Sequence, residues 1–106
     1  MAEEELPRMD VLRYMDTGQK DLTATGTAYK IATLRGGQAI VIKALNANVG
    51  TVYVGKRDVS TTNGFELGAG ESLKIEYLPE KETHEYLDIY AVCGTAGDDV
   101  CFILVP

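Results

Sequence analysis

The sequence predicts an all-β protein, an antiparallel β-sandwich of jelly-roll-like kind behind an extended N-terminal arm. Three observations carry that expectation. Apolar residues recur at every second position in several short segments, which separates the two faces of a strand. Clusters of Gly and Asn cut those segments at short intervals, the punctuation of sandwiches and barrels. No helical period is sustained beyond residue 20. The chain has 106 residues, the size of one domain. Its 45% apolar and 25% charged composition is that of a globule and not of a disordered chain.

Residues 1–20 read as the arm and 21–106 as the sandwich domain. The arm holds the acids Glu3 to Glu5, Pro7 and an irregular mixture. Met9, Leu12 and Met15 share a face at helical spacing, but so short a helix is marginal in isolation. Ordering against a partner is therefore expected, with Met9 and Leu12 as contacts.

In the domain, Thr27 to Leu34 alternates in part, and Arg35-Gly36-Gly37 turns the chain into Gln38 to Leu45. There Ile40, Ile42 and Ala44 oppose Val41 and Lys43, and the two segments are expected to form a hairpin. Asn46 to Gly50 is a turn whose Asn and Gly tolerate positive φ. Thr51 to Gly55 follows as a half-buried strand with Val52 and Val54 on one face. Lys56 to Gly70 reads as a long exposed loop with bends at Asn63-Gly64 and Gly68-Ala69-Gly70. Val59, Phe65 and Leu67 are its anchors.

Ser72 to Tyr77 alternates cleanly, with Leu73, Ile75 and Tyr77 inward. After the charged turn Pro79 to Glu85, Tyr86 to Cys93 sets Leu87, Ile89, Ala91 and Cys93 on one face. Val100 to Val105 is almost continuously apolar, which suits a strand covered on both faces or one at an oligomer contact. About six strands are expected in all.

Charge narrows the partners. Sixteen acidic and ten basic residues give a net charge of -6, so the averaged field repels phosphate backbones. Nucleic acid is not an expected partner. The apolar runs at Ala39 to Ile42 and Val100 to Val105 fall far below the roughly 20 residues of a membrane span. No membrane association is expected. The acidic N-terminus does not read as a secretory signal, and assembly in the cytoplasm is the expectation.

Chemistry is sparse. Gly64, Gly68 and Gly70 lack the strand–helix context of a phosphate loop and read as turn formers. His84 is the single histidine, set in a charged turn. The pairs Asp98/Asp99 and Glu80/Glu82 are adjacent acids of turns, not two acids facing across a cleft. A calcium site from Asp98, Asp99 and turn carbonyls is the sharper reading of that pair, and solvation the plainer one. Cys93 and Cys101 flank a Gly-rich turn, read either as buried apolar thiols or as a cross-strand disulfide. With one distant histidine they make no zinc site. Tyr53, Tyr77, Tyr86 and Tyr90 lie on expected strands, half-buried or at a contact. No catalytic residue, cofactor or metal is expected.

Residues 40–75, IVIKALNANVGTVYVGKRDVSTTNGFELGAGESLKI, followed by Leu87 to Ala91, carry a resemblance. The stretch resembles a segment of small β-sandwich structural proteins of tailed bacteriophages and related prokaryotic viruses. The matching positions are Asn48, Gly50, Val52 to Gly55, Asp58 to Ser60, Asn63, Gly64, Leu67 and Gly70 to Ser72. The resemblance implies a virion part, of the head-decoration, cement or fibre type, and a homo-oligomer (a trimer among the options) seated on a major capsid or other virion protein.

The sequence-level expectation is thus a decoration protein that is not an enzyme. Tyr53, Tyr90, Phe65, Leu67, Met9 and Leu12 are its candidate surface residues. The alternative is a carbohydrate-binding or receptor-binding fibre or tail module that uses Tyr53, Tyr90 and the 56–70 loop. A small hydrolase is third and would need an acid pair or His84 in a pocket.

Overall fold

Alternation decides which way each segment faces. Along Ala39–Ala44 the side chains of Ile40, Ile42 and Ala44 are fully buried while Ala39, Val41 and Lys43 are half-buried. The computed structural model describes residues 16–77 and 86–105. They form β1 (Asp16–Leu22), β2 (Tyr29–Arg35), β3 (Ala39–Ala44), β4 (Val52–Gly55), β5 (Phe65–Leu67), β6 (Ser72–Glu76), β7 (Tyr86–Cys93) and β8 (Asp98–Val105). No helix occurs among the described residues.

The strands make two four-stranded antiparallel sheets, in the orders β1-β8-β3-β6 and β2-β7-β4-β5. One core lies between them. The first sheet contributes Leu22, Ile40, Ile42, Ala44 and Val100, and the second contributes Ile31, Leu34, Val52, Val54, Leu67, Ile89, Ala91 and Cys93. Fully burying side chains of this kind is worth about 1.5–3 kcal/mol each. The pairings β1·β8, β2·β7, β3·β6 and β4·β5 nest one inside the next along the chain.

The expected hairpin of 27–34 with 38–45 is not formed. β2 pairs with β7, whereas β3 pairs with β6 and β8 in the other sheet. The physical reason lies in the turn. Gly37 adopts a φ of 86° and donates its N–H to the Tyr77 carbonyl, while Tyr77 donates to Gln38. These bonds deliver the chain beside β6, across the core from β2. Both strands still bury their apolar sides, as alternation requires.

Eight strands replace the expected six. β1 takes in residues 16–20 of the span read as an arm; residues 1–15 lie outside the described residues. β1 has little apolar signal because its inward Gly18 makes room for a ring: a Cβ there would stand 2.9 Å from Phe102. β5 lies inside the stretch read as a loop. β8 is apolar from Val100 to Val105 and sits between β1 and β3. Its Val100 is buried, Phe102 and Leu104 pack against the core, and Cys101 and Ile103 alternate to the other side.

The loop between β4 and β5 lies back on the second sheet's outer face. Val59 is 6% exposed, and Cβ atoms added at Gly55 or Gly64 would collide with it. Val92, on the outward side of β7, is fully buried. Asn63 holds the loop's shape by accepting from Ser60 N–H at 2.7 Å and donating to the Asp58 carbonyl.

Ile42→Ala is expected to lower unfolding free energy by about 2–5 kcal/mol, the cost of a cavity at a site walled by both sheets. Lys43→Ala next to it should stay within about 0.5 kcal/mol. Urea denaturation of the two variants measures both; equal losses would contradict the inward–outward assignment of β3.

Candidate functional site

Antiparallel pairing collects the connections β1–β2 (residues 23–28), β3–β4 (45–51), β5–β6 (68–71) and β7–β8 (94–97) at one end of the molecule. Within these stretches the only charged residue is Glu71, and its carboxylate accepts the Gly68 N–H at 2.6 Å. The rest are Thr, Ala, Gly, Asn, Val and Leu. The opposite end receives Arg35, Lys56, Arg57 and Asp58. A chain that is one-quarter charged thus presents one end almost free of charge.

That end is bonded together across the two sheets. Asp98, 4% exposed, accepts Val49 N–H at 3.0 Å through Oδ1 and Gly50 N–H at 2.9 Å through Oδ2. Asn48 binds the backbone of Asp99 twice, donating to its carbonyl at 2.8 Å and accepting from its N–H at 2.9 Å. Gly50 has to be glycine, since a Cβ there would meet the Thr95 hydroxyl inside contact distance. Gly97 donates to Leu22, Gly26 to Cys93 and Gly94 to Thr51. Gly70 and Ala44 tie the β5–β6 turn to β3. Val49 is consequently held at 85% exposure by hydrogen bonds to its own backbone and not by burial of its side chain.

The same bonds account for the acidic pair. Both Asp98 oxygens are occupied by N–H donors, which makes the carboxylate a loop clamp. Among the described residues no group of three or more His, Cys, Asp or Glu could hold a metal ion. Asp99 stands directly opposite Asp21 across the β1·β8 ladder. Burial first, then hydrogen bonding and repulsion from Asp21, hold the Asp99 carboxyl above the usual carboxylate range. Its Oδ1 is buried and accepts no hydrogen bond among the described residues.

The cysteines lie on different sheets, and both thiols are free. Cys93 points into the core and donates to the Leu22 carbonyl at 3.1 Å, with burial pushing its thiol pKa up. Cys101 points away from that core, so β8 stands between the two sulfurs and the cross-strand disulfide does not form. The 94–97 turn crosses between sheets instead of closing a hairpin.

The candidate surface residues scatter. Phe65 is 57% exposed on the edge strand β5. Leu67, two residues on, is 2% exposed opposite Val52 and belongs to the core. Tyr53 and Tyr90 are half-buried on the outer face of the second sheet. Tyr86 is 59% exposed, with the Arg35 guanidinium 5.7 Å from its ring. Met9, Leu12 and His84 lie outside the described residues. Sequence reasoning missed Val49 and the Asp98 clamp; the one available signal was an Asn-Val-Gly turn facing two aspartates across forty-eight residues.

No family model matches the chain, and no curated protein matches it. Among solved structures it is similar to a de novo designed double-stranded β-helix determined by solution NMR. The identity is 20%, covering 86% of this chain and 95% of that one, with a TM-score of 0.52. At that identity the likeness is one of fold alone.

Asp98→Ala is expected to cost about 2–3 kcal/mol, because two part-buried N–H groups lose a charged acceptor. Asp98→Asn, which can accept through one oxygen only, should fall between. For Asp21 the sign is opposite. The folded state binds the Asp99 proton more tightly than the unfolded one does, so stability falls as pH rises from the ordinary carboxylate value to the raised one. Above that window the penalty is fully present. Asp21→Asn should therefore stabilise the protein at pH 7 by a few tenths to about 1 kcal/mol, with the gain vanishing near pH 3. Thermal melts at the two pH values test this; a loss of stability at pH 7 would contradict it.

Proposed function

We propose that this protein is a non-catalytic structural part of a phage-type virion, a capsid decoration or cement protein that stabilises the shell through oligomeric contacts. The nested strand pairings and the sheet orders support a jelly roll, an antiparallel ribbon folded over on itself. The resemblance of residues 40–75 to small virion proteins supports the role.

The observation that carries the reading is the hydrogen-bonded, nearly charge-free loop end. Docking costs side-chain and loop ordering, and loops already held by Asp98, Asn48 and the glycine N–H groups have little left to order. Short side chains such as Ala24, Ala47, Ala69 and Ala96 allow close approach, and Val49 supplies apolar area. Within the four connections no ionised side chain other than Glu71 has to be stripped of water. The chain's net charge of -6, carried mostly outside these connections, keeps free subunits apart before assembly.

The partners in this reading are further copies of the chain and a major capsid or other virion protein, with assembly in the host cytoplasm. The glycan-binding alternative needs exposed aromatic rings beside a cleft. An open depression of about 370 Å³ on the β4–β5 loop is lined by Gly55, Lys56, Asp58, Val59 and Asn63, none of them aromatic. Tyr53 and Tyr90 offer only half-buried rings.

Co-sedimentation with empty virion shells from the same source tests the reading. The full chain is expected to bind, and Val49→Asp combined with Ala96→Glu should weaken binding at least tenfold with the melting temperature little changed. Failure of the unaltered chain to bind shells, or undiminished binding by the double variant, would overturn it.

A further inference from the structure

Four strands end the two sheets among the described residues: β1 and β6 in the first, β2 and β5 in the second. They are unequal as pairing templates. β2 is broken by a register shift between Lys30 and Ala32, β5 spans three residues, and β1 carries no apolar residue before Leu22. The alternation of β6 runs unbroken from Ser72 to Tyr77.

Backbone bonds show which way the polar groups of β6 turn. Ala44 donates to the Glu71 carbonyl and Tyr77 donates to that of Gln38, so the odd-numbered residues bond β3. Ser72, Lys74 and Glu76 therefore direct their N–H and C=O groups to the outer edge. All three are exposed, with 60% of the Lys74 side chain and 49% of the Glu76 side chain open to solvent. On the core side Leu73, Ile75 and Tyr77 are only half-buried. The short 68–71 connection holds β5 on the same flank, where Phe65 is largely exposed.

We propose that this edge pairs antiparallel with the same edge of a second copy, across a two-fold axis at Ile75. Two registers satisfy the outward backbone groups, and charge chooses between them. Centred on Lys74, the pairing sets Lys74 against Lys74 of the second copy. Centred on Ile75, it sets Lys74 opposite Glu76 of the second copy, twice over. The ion pair already present in each chain at 3.3 Å then becomes half of a ring of four alternating charges. Opposite charges at facing positions stabilise a sheet and like charges destabilise it. On the core side the same register faces Ile75 with Ile75 and Leu73 with Tyr77, and covers apolar surface that each copy leaves half open. Such an interface is self-complementary, as a two-fold contact must be.

A five-residue strand on each side places the contact at the small, weak end of the range. The net charge of -6 on each chain opposes it in dilute solution, so pairing is a high-concentration event. The edge is separate from the loop end, and it holds or fails independently of shell docking.

Sedimentation of the full chain over roughly 10 µM to 1 mM is expected to show a rising dimer fraction. Glu76→Lys should weaken association about tenfold although it lowers the net negative charge, because it faces Lys74 with a like charge. Adding Lys74→Glu to that variant should restore association. In a Cys101→Ser background, Ile75→Cys should form a disulfide-linked dimer on mild oxidation and Lys74→Cys should not. Residues facing each other at a non-hydrogen-bonded pair lie about 4.5 Å apart, within disulfide reach. A monomer throughout the range, association strengthened by Glu76→Lys, or a cross-link at position 74 in place of 75 would each overturn the proposal. The concentration dependence of the unaltered chain decides even where a variant misfolds.

Discussion

The structure depends on one long-range pairing: the last strand, β8, lies between the first, β1, and the third, β3. Until β8 arrives, β1 has no hydrogen-bonding neighbour and β3 has only β6. Its arrival satisfies both ladders, brings Val100 under the core and delivers Asp98 to the 45–51 loop. Contacts so distant in sequence are formed against a large loop-closure entropy. The fold is therefore one in which sheet, core and loop end are completed by the same event.

That dependence explains why the loop end can be rigid while exposing little but small side chains. Loops usually owe their order to anchoring apolar residues; here Val49 points outward and the anchoring is polar. The carboxylate of Asp98 replaces the water that Val49 and Gly50 N–H groups would otherwise bind, and Asn48 does the same for Asp99. Because Asp98 is itself buried, each bond acts in a medium of lower dielectric than water and gains from it. The neighbouring Asp21–Asp99 opposition is the cost of placing acids at the β1·β8 ladder, partly relieved when Asp99 holds a proton.

Much of this was legible in the sequence, though not all. Facing was legible: Ile40, Ile42 and Ala44, or Ile89, Ala91 and Cys93, declare their side by period two. Partnership was not. A short Gly-Gly turn between two alternating segments suits a hairpin, and only the distant acceptor at Tyr77 reveals that the turn changes sheets. β1 escaped because DTGQKDL carries a glycine where Phe102 needs space, and β5 because three residues are too few to show a period. Phe65 could be recognised as a surface residue, but Leu67 could not be assigned to the core without knowing that Val52 lies opposite. The Asp98 clamp was hidden for the same reason, since its partners are remote and each half looks like an ordinary turn.

The insertion of β8 between β1 and β3 is tested most directly by inter-strand Hα–Hα contacts in a nuclear Overhauser spectrum of the full chain. The structure predicts contacts from β8 to both β1 and β3, and from β2 to β7. Contacts between β2 and β3 in hairpin register, with β8 missing from one of its two neighbours, would contradict it.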